Sequence, residues 1–324
     1  MRTVLVALAV ALAATGCVTV NLPGFGGGPL EESVVEGESG PKILMIDLSG
    51  PLSTRAEESR LGLGRRESLT ARLREEIDLA LEDDEIAALL LRIDSPGGTV
   101  IASDILYREV RRFKEKTQRP VIAQLMGAGT SGAYYVAMAA DEVRAYPTTV
   151  TGSIGVIIAG INVSGLMERF GVADQTITTG PFKDAGSPLR PMRPAERAQL
   201  ESVARDLFGA FLDVVESGRP KLGRERIEAL ADGRVYSGPQ ALEAGLVDAL
   251  GDLPQAVDAA KAAAGIPGEA RVVVYHRADQ EPEGLFWASA AAPPAAPSLD
   301  PSQLAGPTFL YLWSPGLTLP AAIP

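Results

Sequence analysis

Short apolar runs alternate with amphipathic segments along most of this chain, and that alternation predicts an α/β fold: a mostly parallel sheet with its helices on the outside. Three stretches carry the prediction. Ile43 to Leu48 is a short apolar run, Leu69 to Leu81 repeats apolar residues at helical spacing, and Ile86 to Ile93 (I-A-A-L-L-L-R-I) is continuous enough for a strand buried on both faces. In order these are strand, helix and strand, the unit from which parallel sheets are built.

The first residues follow another logic. Arg2 and the apolar run Val4 to Ala14 make a targeting segment, because the run is far shorter than the about 20 residues a membrane-crossing helix needs. Residues 1–16 are therefore expected to be a signal peptide. The run A-T-G-C ending at Cys17 resembles the lipobox of bacterial lipoproteins, with Ala14 where Leu is commonest; the alternative is an ordinary secretory signal with an incidental cysteine. Either reading exports the chain. The lipidated form would be anchored to a bacterial membrane, facing the periplasm or the cell exterior. Cys17 is also the only cysteine, so neither an internal disulfide nor a cysteine-based zinc site is expected. Residues 17–41, rich in Gly, Pro, Glu and Ser from Asn21 on, read as a lipidated flexible tether, and the folded domain is expected over residues 42–278.

Past Ile93 the alternation continues. An amphipathic helix is predicted over Ile101 to Lys116, a strand over Val121 to Met126, a small-residue helix over Gly132 to Ala140, and short runs at Val143 to Tyr146 and Ser153 to Ile158. Pro194 to Glu216 reads as one long helix with Pro at its start, followed by shorter helices at Arg224 to Ala231 and Gln240 to Ala244 and a closing strand at Val272 to Tyr275. Residues 279–324 turn Ala/Pro-rich and read as a tail. Within that tail F-L-Y-L-W, Phe309 to Trp313, stands out as an apolar patch able to dock on the body or on a neighbouring subunit.

Composition narrows the function. With 46% hydrophobic and 22% charged residues in 324, the chain is a folded globular protein. Acidic residues outnumber basic ones 41 to 30, a net charge of −11, and no basic cluster forms a phosphate-backbone footprint, so nucleic acid is not an expected partner.

The single histidine, His276, lies on the predicted closing strand, which leaves a Ser, His, Asp triad poorly supported and offers no metal site. Lysine is the other base available, competent once desolvation favours its neutral form. Lys183, in T-T-G-P-F-K-D-A-G-S-P between two Gly/Pro bends, is the candidate, expected to turn inward; a solvated loop lysine is the alternative. Three further segments bear on the choice. D-S-P-G-G, Asp94 to Gly98, joins a buried strand to a helix with paired glycines whose N–H groups suit an oxyanion, a phosphate or a tight turn. G-A-G-T-S-G-A-Y-Y, Gly127 to Tyr135, sets Ser131 between strand and helix, where an N-cap serine would look the same. T-G-S-I-G-V, Thr151 to Val156, holds Ser153 between glycines, where its hydroxyl could meet a nearby amine.

With G-R-V-Y-S-G-P-Q-A-L-E-A-G-L-V-D, Gly233 to Asp248, these motifs in this order resemble the signal peptide peptidase A family, serine proteases on a ClpP/crotonase-type fold of repeated β-β-α and βαβ units. The resemblance runs from about Ile43 to Gly251. It implies that Ser131 is the nucleophile, Lys183 the general base and Ser153 the serine that orients the lysine. It also implies that the N–H groups of Gly98 and Gly132 form the oxyanion hole, with neither metal nor cofactor. Ala133 replaces the second glycine of the usual S-G-G. The substrates implied are remnant signal peptides or other short apolar peptides, and a single copy of each motif implies a ring-like homo-oligomer. Two rival readings use the same residues: a crotonase-like acyl-CoA enzyme, which export disfavours, and a non-catalytic envelope scaffold, which would have no need of Ser131 and Lys183.

Overall fold

A computed structural model describes residues 28–58, 65–278, 280, 282–287 and 308–313; the signal segment and Cys17 lie outside them. The strands are β1 (Leu30–Glu36), β2 (Lys42–Ser49), β3 (Glu57–Glu58), β4 (Arg65–Arg66), β5 (Ile86–Ser95), β6 (Gly97–Thr99), β7 (Val121–Thr130), β8 (Glu142–Ala145), β9 (Val150–Gly152), β10 (Ile157–Ala159), β11 (Val235–Ser237), β12 (Ala249–Leu250), β13 (Arg271–Arg277) and β14 (Thr308–Leu312). The helices are α1 (Leu69–Glu82), α2 (Val100–Thr117), α3 (Gly132–Ala137), α4 (Ser164–Arg169), α5 (Pro194–Gly218), α6 (Arg224–Leu230), α7 (Gly238–Ala244) and α8 (Leu253–Ala263).

The main sheet runs β1-β13-β2-β5-β7-β8-β12, with β9 continuing beside the end of β7 and β11 beside β9. Its pairs are parallel except β1 with β13 and β9 with β11. The mostly parallel α/β sheet read from the sequence is thus observed. Its continuous apolar strands have a simple cause: both faces are covered. Leu44, Ile46 and Leu48 of β2 belong to one buried cluster with Leu73 and Ile77 of α1 and Phe113 of α2. Ile43 and Met45, pointing the other way, share a second cluster with Leu253, Ala256 and Val257 of α8.

Helix starts follow local chemistry. Ser68 accepts from the Ala71 N–H at 3.3 Å to cap α1, and Thr99 accepts from the Ala102 N–H at 3.3 Å to cap α2. At α5, Pro194 occupies the first turn and Glu196 accepts from the Arg193 N–H at 3.0 Å.

Two boundaries differ from the sequence reading. The folded part begins before Lys42, because Leu30–Glu36, placed in the tether, pairs antiparallel with β13 as an edge strand. Its alternation of half-buried and exposed positions carries too many acids to stand out from a linker. The tail also contributes: Thr308–Leu312 is a strand between β10 and β6. Of Ser153 to Ile158, read as one run, only Ile157 and Ile158 are strand, the first two residues of β10, while Ser153 to Val156 form the connection after β9.

Candidate active site

Strand β7 ends at Thr130 and α3 begins at Gly132, so Ser131 sits alone at the elbow with φ 54° and ψ −118°. That left-handed conformation is costly for a residue with a Cβ and persists only where the surroundings enforce it. Here the Ser131 N–H donates to the Gly152 carbonyl at 2.7 Å, and the Ser131 carbonyl accepts from the Tyr135 N–H at 2.9 Å. The hydroxyl makes no capping hydrogen bond, so Ser131 is not an N-cap serine in the usual sense. The residue is 1% exposed, yet it lines a cavity.

Parallel pairing of β7 with β9 sets Thr130 opposite Gly152, which brings the next residues, Ser131 and Ser153, to the same end of the sheet. Ser153 also has positive φ, 50°, and its N–H donates to the Arg234 carbonyl at 2.8 Å. Both serines line the same cavity.

Gly98 and Gly132 are glycines because nothing larger fits. A Cβ on Gly98 would lie 2.0 Å from the Leu52 carbonyl oxygen, and one on Gly132 would lie 2.3 Å from Ser103 Oγ and 3.3 Å from the Gly98 nitrogen. The Gly98 nitrogen therefore lies close to Gly132, with Gly98 next to the start of α2 and Gly132 at the start of α3, where helix N-termini favour negative charge. Gly97, with φ +92°, turns the chain into this position.

The cavity has a volume of about 610 Å³. Besides the serines its walls include Glu201, Arg205 and Phe208, one face of α5 at helical spacing, and Leu312 from β14. Sequence reasoning found α5 as a helix but missed that this face looks into the site; its i, i+4, i+7 spacing was the available signal. Asp232 is also on the wall, and the Arg234 guanidinium beside it holds its carboxyl down at about 2, so it carries charge at neutral pH.

Lys183 is the exception. It is exposed, not turned inward as expected, and is not among the residues lining the cavity. Its bend is pinned by its neighbours: Asp184 accepts from Arg190 Nε at 2.7 Å, and Arg190 Nη1 donates to Glu196 at the start of α5 at 2.9 Å. These guanidiniums, Arg190 first and Arg193 second, hold the Glu196 carboxyl well below the usual carboxylate range. His276 stands apart on β13, its Nε2 hydrogen-bonded to Ser33 Oγ at 2.9 Å and its Nδ1 3.0 Å from the Arg277 carbonyl oxygen. Among the described residues no cluster of His, Cys, Asp or Glu is placed to hold a metal ion, and no helix is long and apolar enough to cross a membrane.

Residues 113–267, the stretch that carries Ser131, Ser153 and Lys183, match the model of peptidase family S49. A protein of Synechocystis sp. that carries the name of a protease is 37% identical over 225 residues, 69% of this chain and 75% of that protein. A protein of Enterococcus faecium that carries the name signal peptide peptidase SppA is 34% identical, over 71% of this chain and 66% of its own length. The chloroplastic serine protease SPPA of Arabidopsis thaliana is 35% identical over 70% of this chain, which spans 32% of that longer protein. With this coverage and an elbow serine flanked by paired glycine donors, the chain belongs to peptidase family S49, the signal peptide peptidase A family of serine proteases.

Proposed function

We propose that the protein is an exported, lipid-anchored endopeptidase that cleaves short apolar peptides in the cell envelope with a Ser131/Lys183 dyad. The observation that carries this reading is Ser131 itself: a serine with left-handed φ, at a strand-to-helix elbow, beside the N–H groups of Gly98 and Gly132. In the proposed reaction Ser131 Oγ attacks the peptide carbonyl carbon while its proton passes to the neutral amine of Lys183. The oxygen of the tetrahedral intermediate takes hydrogen bonds from Gly98 and Gly132. The C–N bond then breaks, the proton moves to the leaving amine, and a water activated by the same lysine hydrolyses the ester. Ser153, beside Ser131, orients the lysine.

Lys183 is supplied by a neighbouring copy in a ring-like homo-oligomer. Its exposure on a pinned surface bend, away from its own chain's cavity wall, supports this arrangement. Membership of a serine protease family leaves no support for the acyl-CoA reading, and a scaffold would not need the conformation that Ser131 holds. Anchoring through Cys17, directly after residues 1–16, rests on the sequence alone.

The test is covalent labelling of the purified full chain by a fluorophosphonate, with the modified residue located by mass spectrometry. Labelling at Ser131, absent in Ser131→Ala, is the expected result. Labelling elsewhere, or peptide cleavage that persists in Ser131→Ala, overturns it.

A further inference from the structure

A second cavity, with neither serine on its wall, lies where α2 passes the last turn of α5 at Ser217, and its volume is about 520 Å³. Arg108, Arg111, Arg112 and Lys116 line it, and among the described residues Glu115 is the one carboxylate on its wall. Four cations facing one anion run against the balance of a chain whose net charge is −11. Lys116, in the last turn of α2, also answers the negative end of the helix dipole. That account does not reach Arg108 and Arg112, because the dipole's influence falls off within the last turn.

The guanidiniums are held by carboxylates that lie off the cavity wall. Arg108 Nε donates to Asp104 at 2.7 Å, Arg112 Nε donates to Glu109 at 2.7 Å, and Arg112 Nη2 donates to Asp78 of α1 at 2.7 Å. None of these three acids lines the cavity. Arg108 and Arg112 are thus fixed by one edge, while Arg112 Nη1 and both Nη groups of Arg108 meet no acceptor among the described residues. A guanidinium whose rotamer is already fixed loses little further entropy on binding, and its planar donors match the paired oxygens of a phosphate group. The acids that hold these side chains interleave with them along α2, so no basic run shows in the sequence.

The N-terminal segment enters the domain close by. Arg277 Nη1 donates to the Gly28 carbonyl at 2.6 Å and Arg277 Nη2 to Glu75 at 2.5 Å; Glu75 lies one turn before Asp78, which accepts from Arg112. With side chains one turn apart on α1 as the longest link, these contacts put Arg112 within roughly 20 Å of Gly28. Cys17 is eleven residues before Gly28, a span of at most roughly 40 Å of extended chain. A bilayer that holds an acyl group on Cys17 is therefore within reach of the cavity. We infer that the cavity between α2 and the end of α5 binds the phosphodiester of an anionic lipid headgroup. The bilayer as its source rests on the Cys17 reading; the affinity of Arg108, Arg112 and Lys116 for phosphate does not.

The test uses the full chain in a neutral detergent and reads binding by isothermal titration calorimetry, with short-chain phosphatidylglycerol, short-chain phosphatidylcholine and inorganic phosphate as probes. Phosphatidylglycerol should bind, should displace inorganic phosphate, and should be held at least about tenfold more tightly than phosphatidylcholine, whose choline cation cancels the charge of its phosphate. Arg108→Gln with Lys116→Gln, both exposed, should weaken that binding at least about tenfold. Arg226→Gln with Lys261→Gln removes the same charge from α6 and α8 and should leave it unchanged. Equal affinity for the two lipids, or equal losses in the two double variants, overturns the inference. Inorganic phosphate that phosphatidylglycerol does not displace hands the cavity to a free anion and overturns the lipid as its ligand. Phosphatidylglycerol binding by a chain whose mass shows no acyl group on Cys17 sustains the site and sinks the anchor.

Discussion

Two parts of the site are built in opposite ways. Ser131, Ser153, Gly98 and Gly132 stand at the carboxyl ends of β5, β7 and β9, each fixed by backbone hydrogen bonds or by the lack of room for a side chain. Lys183 sits on a surface bend between α4 and α5, held by guanidinium–carboxylate contacts. In the proposed mechanism the sheet over-determines the groups that would attack and stabilise, whereas the group that would move the proton is left for another surface to deliver. Such a device would make an isolated subunit idle.

The largest effect that bears on this contrast comes from mixing. Ser131→Ala and Lys183→Ala should each lower kcat at least about a thousandfold without unfolding the protein. Co-assembled, the two dead variants should regain part of the wild-type rate, because some interfaces then pair an intact serine with an intact lysine. A mixed oligomer with proven exchange and no recovered activity would place the dyad within one chain and erase the contrast.

The rigid part has its own pH dependence, which any rate profile must be separated from. Burial pushes the Glu76 carboxyl of α1 up to about 7, an effect that Arg72, 3.4 Å away, only partly offsets. A raised carboxyl pKa favours the folded state while the group is protonated, so this contribution is full below about 4.5 and is lost as pH rises through about 7. Its size is on the order of 3 kcal/mol. Glu76→Gln should flatten the melting temperature against pH and raise it at pH 8; an unchanged slope between pH 5 and 8 would count against the assignment.

Third in size is the glycine packing. Gly132→Ala should destabilise by about 2 kcal/mol through its clash with Ser103 Oγ, and Ser103→Ala should restore part of that loss. Denaturant midpoints of the two single variants and the double variant measure it, and strict additivity would mean that the contact is not what excludes the side chain. The smallest effect concerns the bend. Asp184→Asn loosens its tie to Arg190 and should lower kcat about threefold at an unchanged melting temperature. If instead the melting temperature falls with kcat, the bend is part of the body rather than a separate element.

Much of this was legible in the sequence, and the pattern of what was not is physical. Ile43 to Leu48, Ile86 to Ile93 and Val121 to Met126 announced buried parallel strands because both faces demand apolar residues. The position of Ser131 between a strand and a small-residue helix was legible through the glycines around it. Strand β1 was not, because an edge strand is defined by its partner β13 and its own side chains are half solvated. Nor was α8, whose alanine-rich face packs on Met45 and Leu90 without a strong periodic signal. The three-residue strands β6, β9 and β10 are too short for any period. The exposure of Lys183 was missed because the Gly/Pro bends around it read equally well turned in or out.

The place of β13 in the sheet also governs when the protein can become itself. That strand, residues 271–277, inserts between β1 and β2, so the apolar β2 lacks its neighbour on that side until nearly the whole domain has been synthesised. Non-local pairing of this kind is slow, and it exposes an unpaired hydrophobic edge meanwhile. A chain arrested anywhere before Arg271 would carry that edge open, which makes it a client for holding factors and a seed for aggregation. Completion of folding is thereby tied to completion of the chain.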